Sequence, residues 1–255
     1  MRVHLRDILE SDETALNAWL NIGHSFSAEI MAAQDFDALT IDAQHGPQDY
    51  SSLLPMIQAM RGYGKTIMAR VPWNDPVWIM KFLDAGAMGI ICPMINTGEQ
   101  AAEFVSYLRY PPIGQRSWGP TRVIVGQPDY TKEDANDQVL AFAMIETAEA
   151  LNNLEEIAAT PHLDALYIGP SDLSLGMSNG ALPVGLDREE PEVIAAIQRI
   201  LETAHTHGKK AALHCGTADY AKRAADWGFD MVTVGTDSTI LAQGAKATIA
   251  AFREN

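Results

Sequence analysis

The sequence predicts an α/β protein, a single (β/α)₈ TIM barrel, and three observations carry that prediction. Eight short apolar runs of β type are each followed by a helical stretch, which is the count of such a barrel. No GxGxxG follows a strand and no Walker loop occurs, so a doubly wound nucleotide-binding sheet fits less well. Nothing divides the 255 residues into halves, and a chain of that length can bury one full core.

Taken in order, Ala15 to Ile22 (ALNAWLNI) reads as the first strand, with a short helix over Ser27 to Ala33 behind it. Asp37 to Asp42 (DALTID) is the second, followed by a helix over Asp49 to Arg61. Lys65 to Val71 (KTIMARV) precedes a helix over Asp75 to Ala85, and Gly89 to Met94 (GIICPM) precedes one over Thr97 to Arg109. Tyr110 to Asp137 is a long polar connection rich in Pro, Gly and Arg. The fifth and sixth strands lie within Leu140 to Gly176, LAFAMIETAEALNNLEEIAATPHLDALYIGPSDLSLG. A loop of Gly, Pro and Asn over Met177 to Asp187 leads to a long helix, Pro191 to His207. Lys209 to His214 with Ala218 to Trp227, then Met231 to Gly235 with Ser238 to Arg253, complete the last two units.

The bulk numbers exclude several classes. A formal charge of −15 repels nucleic acid and anionic membranes. The two cysteines, Cys92 and Cys215, stand far apart; they form no disulfide framework, and a reducing cytoplasm is expected. The opening residues MRVHLRDILESDET lack an apolar core for a signal peptide. No window approaches the length of a membrane span.

A barrel of this kind carries its site at the C-terminal strand ends, and polar residues gather there. Phe142, Met144 and Glu146 alternate along the fifth strand and share one face. Glu146 stands where that strand stops and a Thr147-capped helix begins. The sixth strand breaks at Gly169-Pro170, and Asp172 follows in an expected turn. In a parallel sheet both ends lie on one side, so the two carboxylates can hold a hard cation, Mg²⁺ or Mn²⁺ rather than Zn²⁺. A helix-cap Glu and a turn Asp are an equal reading of the same spacing. His45, in the Gly-Pro turn after the second strand, is a candidate general base. Arg70 ends an otherwise apolar strand and suits a developing oxyanion. Asp42 points inward and is expected to support the metal's surroundings. The seventh and eighth strands end in His214-Cys215-Gly216 and Gly235-Thr236-Asp237. No lysine falls at a strand end, which disfavours an imine-forming aldolase. Asp237 places an acid where barrels usually bind phosphate, which favours a non-phosphorylated substrate.

With these residues placed, the chain resembles the class II, metal-dependent pyruvate aldolases of the HpcH/HpaI family, within the phosphoenolpyruvate/pyruvate superfamily. The likeness runs from about Leu16 to Leu241 and rests on FDALTIDAQHGPQDY, ARVPWNDP, FLDAGAMGIICPMINT, RYPPIGQRSWG, MIET and YIGPSDLSLGM. It implies that Glu146 and Asp172 hold the metal, Mg²⁺ or Mn²⁺ with Co²⁺ as a third option. It implies that Gly169, Pro170, Ser171 and Asp172 form the loop receiving the substrate carboxylate, that Arg70 stabilises the enolate oxygen, and that His45 serves the base through a bound water. Asp84 matches an aspartate that raises this histidine's basicity; at the bottom of its own barrel it can do so only across a subunit interface. Trp19 matches an aromatic near the site. The resemblance also implies a homo-hexamer, a trimer of dimers exchanging the last helix.

Two positions depart from the family pattern. Gln44 stands where many relatives have Glu, and Met144 where many have Gln; both are expected to tune substrate range. The expected reaction is reversible cleavage of 4-hydroxy-2-oxo acids to pyruvate or hydroxypyruvate and an aldehyde. Two alternatives remain open. One is a citrate-lyase-like or malyl-thioester lyase, with Arg109, Arg116 and Arg122 on a coenzyme A tail. The other is a non-catalytic, metal-dependent 2-oxo acid binder.

Overall fold

The computed structural model describes residues 4–253; Met1 to Val3, Glu254 and Asn255, the ends of the barrel expected over 1–255, lie outside the described residues. Eight parallel strands close in sequence order into one barrel. They are β1 (Ala15–Leu20), β2 (Ala38–Asp42), β3 (Thr66–Arg70), β4 (Gly89–Cys92), β5 (Leu140–Ile145), β6 (Ala165–Ile168), β7 (Lys210–Cys215) and β8 (Met231–Val234). Strands β2, β3, β5 and β6 are buried on both faces along their whole length, which is why each reads as a largely apolar run.

The helices follow from local signals. A helix not foreseen in the sequence opens the chain, α1 (His4–Leu9). It is followed by α2 (Ser25–Ala32), α3 (Tyr50–Met60), α4 (Pro76–Ala85) and α5 (Gly98–Leu108). Asp49 caps α3 through the N–H groups of Ser51 and Ser52, and Thr97 caps α5 through Gln100. The connection expected to be irregular contains two short helices, α6 (Val123–Gly126) and α7 (Lys132–Gln138); Thr131 caps the second, a signal hidden among its polar neighbours. Then come α8 (Ala148–Asn152), α9 (Leu154–Ala158), α10 (Pro170–Ser178), α11 (Pro191–Thr206), α12 (Ala218–Trp227) and α13 (Asp237–Arg253). The turn expected at Gly169 to Asp172 is the first turn of α10, which runs on into the loop expected from Met177. Proline at the first helical position is compatible with the helix because that N–H has no intrahelical partner.

Apolar side chains alternate between two layers. Leu140, Phe142 and Met144 point into the barrel, where Leu5 and Leu9 of α1 join the same cluster. Ala141, Ala143 and Ile145 point outward into the layer beneath the helices. Helix α1 therefore plugs the barrel's N-terminal end, tied by the Leu5 N–H to Thr66 Oγ1 at 2.9 Å and by Arg6 to Asp164 at 2.9 Å. With that end closed, the opposite end is left for a site. No helix among the described residues is long and apolar enough to cross a membrane.

Candidate active site

A cavity of about 300 Å³ opens at the C-terminal ends of the strands, lined by Trp19, Asp42, His45, Arg70, Met144, Glu146, Gly169, Ser171, Asp172 and His214, with Asn21, Leu186 and Thr236. Residues from seven of the strands or the loops after them thus converge from distant parts of the chain.

Arg70, the last residue of β3, is paired with Asp42, the last of β2, its register neighbour. Nε meets Asp42 Oδ1 at 2.9 Å and Nη2 meets Oδ2 at 2.7 Å. Trp19 Nε1 donates to the same carboxylate at 3.2 Å, and the backbone N–H groups of Gln44 and His45 add two more bonds at 3.1 and 3.3 Å. Burial would raise the Asp42 pKa, but Arg70 and the donors around it hold it below the usual carboxylate range. The carboxylate expected to support a metal's surroundings has its oxygens committed to Arg70, Trp19 and the loop that carries His45. Arg70 also lies over the Trp19 ring, 4.8 Å from its centroid. The guanidinium is thereby fixed in direction, which a lone arginine at a strand end would not be.

Glu146 follows β5 directly and is 2% exposed. Its Oε1 accepts the Met94 N–H at 2.8 Å. Met94 adopts a left-handed conformation, φ 57°, which costs a non-glycine residue about 1–2 kcal/mol. Burial pushes the Glu146 carboxyl up to about 7, with the Met94 N–H pulling it down and the charge of Asp172 adding to the rise. Gly169 leaves room beside it: a Cβ there would come within 2.6 Å of Glu146 Oε2 and 2.9 Å of Met144 Cε. Asp172 stands in the first turn of α10, exposed to the cavity.

Two carboxylates in one buried pocket repel each other unless a cation lies between them. Among the described residues no group of three or more His, Cys, Asp and Glu side chains is placed to hold a metal. The described residues therefore form no closed tetrahedral zinc site. Two carboxylates with room for water and substrate oxygens fit a hard divalent cation.

The remaining expected residues divide. His45 is exposed at the pocket rim, and Met144 and Trp19 form buried walls, each 2% exposed. Gln44 does not line the cavity; its Oε1 is buried without a partner. Asp84 lies near the end of α4, outside the cavity, and pairs with Arg116 at 2.8 Å. The three arginines considered for a coenzyme A tail are engaged internally. Arg109 bonds Val139 O, His162 O and Asp164, Arg116 bonds Asp84, and Arg122 bonds Ala85 O. His214, noted only as a strand-end residue, lines the cavity; its alternation with Ala212 on β7 was the available signal.

The sequence profile of the HpcH/HpaI aldolase/citrate lyase family matches residues 16–244. The chain belongs to that family. A hydroxypyruvate/pyruvate aldolase of Rhizorhabdus wittichii is 41% identical over 94% of this chain and 94% of its own length. A 4-hydroxy-2-oxo-heptane-1,7-dioate aldolase of Klebsiella pneumoniae is 37% identical over 98% of this chain and 94% of its own. The crystal structure of an HpcH/HpaI aldolase/citrate lyase family protein from Burkholderia cenocepacia superposes with a TM-score of 0.89 at 27% identity, covering 98% of each chain.

Proposed function

We propose that the cavity is the active site of a divalent-metal-dependent class II aldolase, which reversibly cleaves 4-hydroxy-2-oxo acids to an aldehyde and pyruvate or hydroxypyruvate. Membership of an aldolase family and relatives named as aldolases over nearly the whole chain support a carbon–carbon lyase. The observation that carries the reading is the open carboxylate pair, Glu146 and Asp172, sharing one cavity with the anchored cation Arg70.

Glu146 and Asp172 would hold the metal, with Mg²⁺ or Mn²⁺ suited to the donors and Co²⁺ as a third option. When bound, it supplies Lewis-acid polarisation of the substrate's 2-oxo group. Gly169 and Pro170 start α10, leaving the N–H groups of Ser171 and Asp172 without intrahelical acceptors and free to receive a substrate carboxylate. His45 accepts the proton leaving the C4 hydroxyl, directly or through a water. The C3–C4 electron pair then moves toward the 2-oxo oxygen, where Arg70 meets the growing negative charge. Trp19 and Met144 exclude water from that side, and a proton delivered to C3 completes the cycle. Asp84 acts, on this reading, only on His45 of a neighbouring subunit.

The same reading assembles the chain as a homo-hexamer, a trimer of dimers. Its support is α13, which leaves the barrel with Leu241 66% and Phe252 89% exposed. An apolar hollow of about 410 Å³ remains over β8 and β1, lined by Leu16, Phe36, Val232 and Val234 among others. A partner's α13 fills it in this proposal, and light scattering at the mass of one chain would remove it.

The test of the chemistry avoids the unknown aldehyde. Metal-stripped protein is incubated with pyruvate, and separately with hydroxypyruvate, in deuterated buffer with and without Mg²⁺, and loss of the C3 proton signal is followed by NMR. Metal-dependent exchange that disappears in Glu146→Ala is the expected result. Absence of exchange with both donors would turn the reading toward a thioester lyase or a 2-oxo acid binder.

A further inference from the structure

The barrel's interior holds a line of polar groups that ends in the cavity. It starts at Asn17 of β1, fully buried. One terminal atom of its amide lies 3.2 Å from Ala38 O and 3.3 Å from Ala18 O. Two carbonyls must be met by a donor, so this atom is the nitrogen. The amide oxygen then faces two hydroxyls, Thr233 Oγ1 at 2.9 Å and Thr40 Oγ1 at 3.0 Å, and accepts from both when the Thr233 proton points toward it. Thr233 Oγ1, its proton committed, accepts from the Tyr167 hydroxyl at 2.8 Å. The Tyr167 oxygen in turn lies 3.1 Å from His214 Nδ1. In that arrangement the tyrosine proton goes to Thr233, and Nδ1 carries the proton and donates.

This arrangement sets one tautomer of His214. Nδ1 bears the hydrogen, and Nε2 is left with a lone pair. Nε2 has no protein partner among the described residues, yet it is not among the sealed-off polar atoms; it opens onto the cavity that His214 lines. Burial, reinforced by the charge of Arg70, lowers the His214 pKa to about 3, so the ring stays neutral across the working pH range. An aromatic contact holds it in place, its centroid 4.7 Å from that of Trp19 in an edge arrangement. The cavity floor therefore presents a fixed, uncharged hydrogen-bond acceptor, beside donors and charges already assigned.

We propose that His214 is a specificity-determining residue whose Nε2 accepts a hydrogen bond from a substrate hydroxyl, and that it favours a 3-hydroxy-2-oxo acid, hydroxypyruvate, over pyruvate as the donor. The inference rests on the aldolase reading above and deepens it. Position selects the donor over the aldehyde. His214 lies within β7 and is 8% exposed, level with buried Trp19 and Arg70. His45 and Asp172 stand exposed at the rim, where an aldehyde would enter. A neutral acceptor suits a hydroxyl and has nothing to offer the methyl group of pyruvate.

The test separates binding from chemistry. Calorimetry in Mg²⁺ gives the affinities of wild type, His214→Leu and His214→Gln for hydroxypyruvate and for pyruvate. Loss of one neutral hydrogen bond should lower the hydroxypyruvate-to-pyruvate affinity ratio roughly tenfold in His214→Leu. His214→Gln, which retains an amide oxygen, should recover part of it. A purely structural role would weaken both donors equally and leave the ratio unmoved, which overturns the proposal. So does a changed preference among hydroxylated and unhydroxylated aldehydes with the donor ratio constant, because the hydroxyl would then belong to the other substrate. Nitrogen NMR of histidine-labelled protein should show His214 Nε2 unprotonated, and a protonated Nε2 also overturns the proposal. Failure of the aldolase reading has a different signature, namely intact binding without C3 exchange. Binding of neither donor overturns both.

Discussion

The two sides of the cavity carry opposite charge in opposite states of completion. On the β2–β3 side, Arg70 and Asp42 close on one another through two short bonds, and Trp19 and two loop amides take up the carboxylate's remaining capacity. On the β5–β6 side, Glu146 has one backbone donor, and the Asp172 side chain has no hydrogen-bond or ion-pair partner among the described residues. A closed pair is a fixed feature that needs no ligand to be stable. An open pair of like charges gains most from an added cation, and burial, with the charge of Asp172 adding to it, raises the Glu146 pKa in the absence of one. One side is built to stay as it is, the other to receive.

The strongest way to break this comparison is Glu146→Gln, which removes the charge from the open side. Donor exchange should fall by a factor on the order of 10³ or more, and Mg²⁺ should no longer raise the melting temperature. A metal-dependent stabilisation as large as in wild type would show that the open pair is not the cation site. Next is Arg70→Lys on the closed side. Lysine keeps the charge but lacks the fork that grips Asp42, so kcat should drop roughly 10²-fold with Mg²⁺ stabilisation retained. Normal turnover would remove Arg70 from the chemistry.

Gly169→Ala sharpens the comparison by touching only the open side. The added methyl would lie 2.6 Å from Glu146 Oε2, so the carboxylate must move. Mg²⁺ affinity, read by thermal titration, should weaken by roughly one to two orders of magnitude. An unchanged affinity would mean that the oxygen facing Gly169 is not a ligand. The smallest expected effect concerns His214. Its folded pKa lies well below the unfolded value, so the unfolded chain takes up the proton first and stability is lost as pH falls below about 6.5. Between pH 7 and pH 5 this amounts to at most about 2 kcal/mol. Denaturant titrations at the two pH values should show a smaller acid loss in His214→Leu, and an equal loss would place the ring in a more solvated setting.

Much of this was legible before any coordinates. Strand-end position alone nominated Asp42, His45, Arg70, Glu146 and Asp172, and all five line the cavity. What stayed hidden shares a cause. Gly169-Pro170 ends the sixth strand as expected, but proline is equally a helix-start residue, and the turn that carries Asp172 is the first turn of that helix. The expectation for Asp42, support of a metal's surroundings, could not include its pairing with Arg70, which is 28 residues away and depends on strand register. His214 had no assigned role because its meaning lies in Tyr167, Thr233 and Asn17, residues contributed by three other strands.

Periodicity, capping residues and the β-then-α count are local properties, each settled within one or two turns of chain, and so the barrel and its list of strand-end residues could be read directly from the order of amino acids. Which of those residues neutralise one another, and which remain unsatisfied, depends on distances between strands remote in sequence. Closing the barrel sets those distances. The Arg70–Asp42 pair, the approach of Glu146 to Asp172 and the contact of His214 with Tyr167 are consequences of that closure, because hydrogen bonds and charges act over a few ångströms of space whatever the separation along the chain.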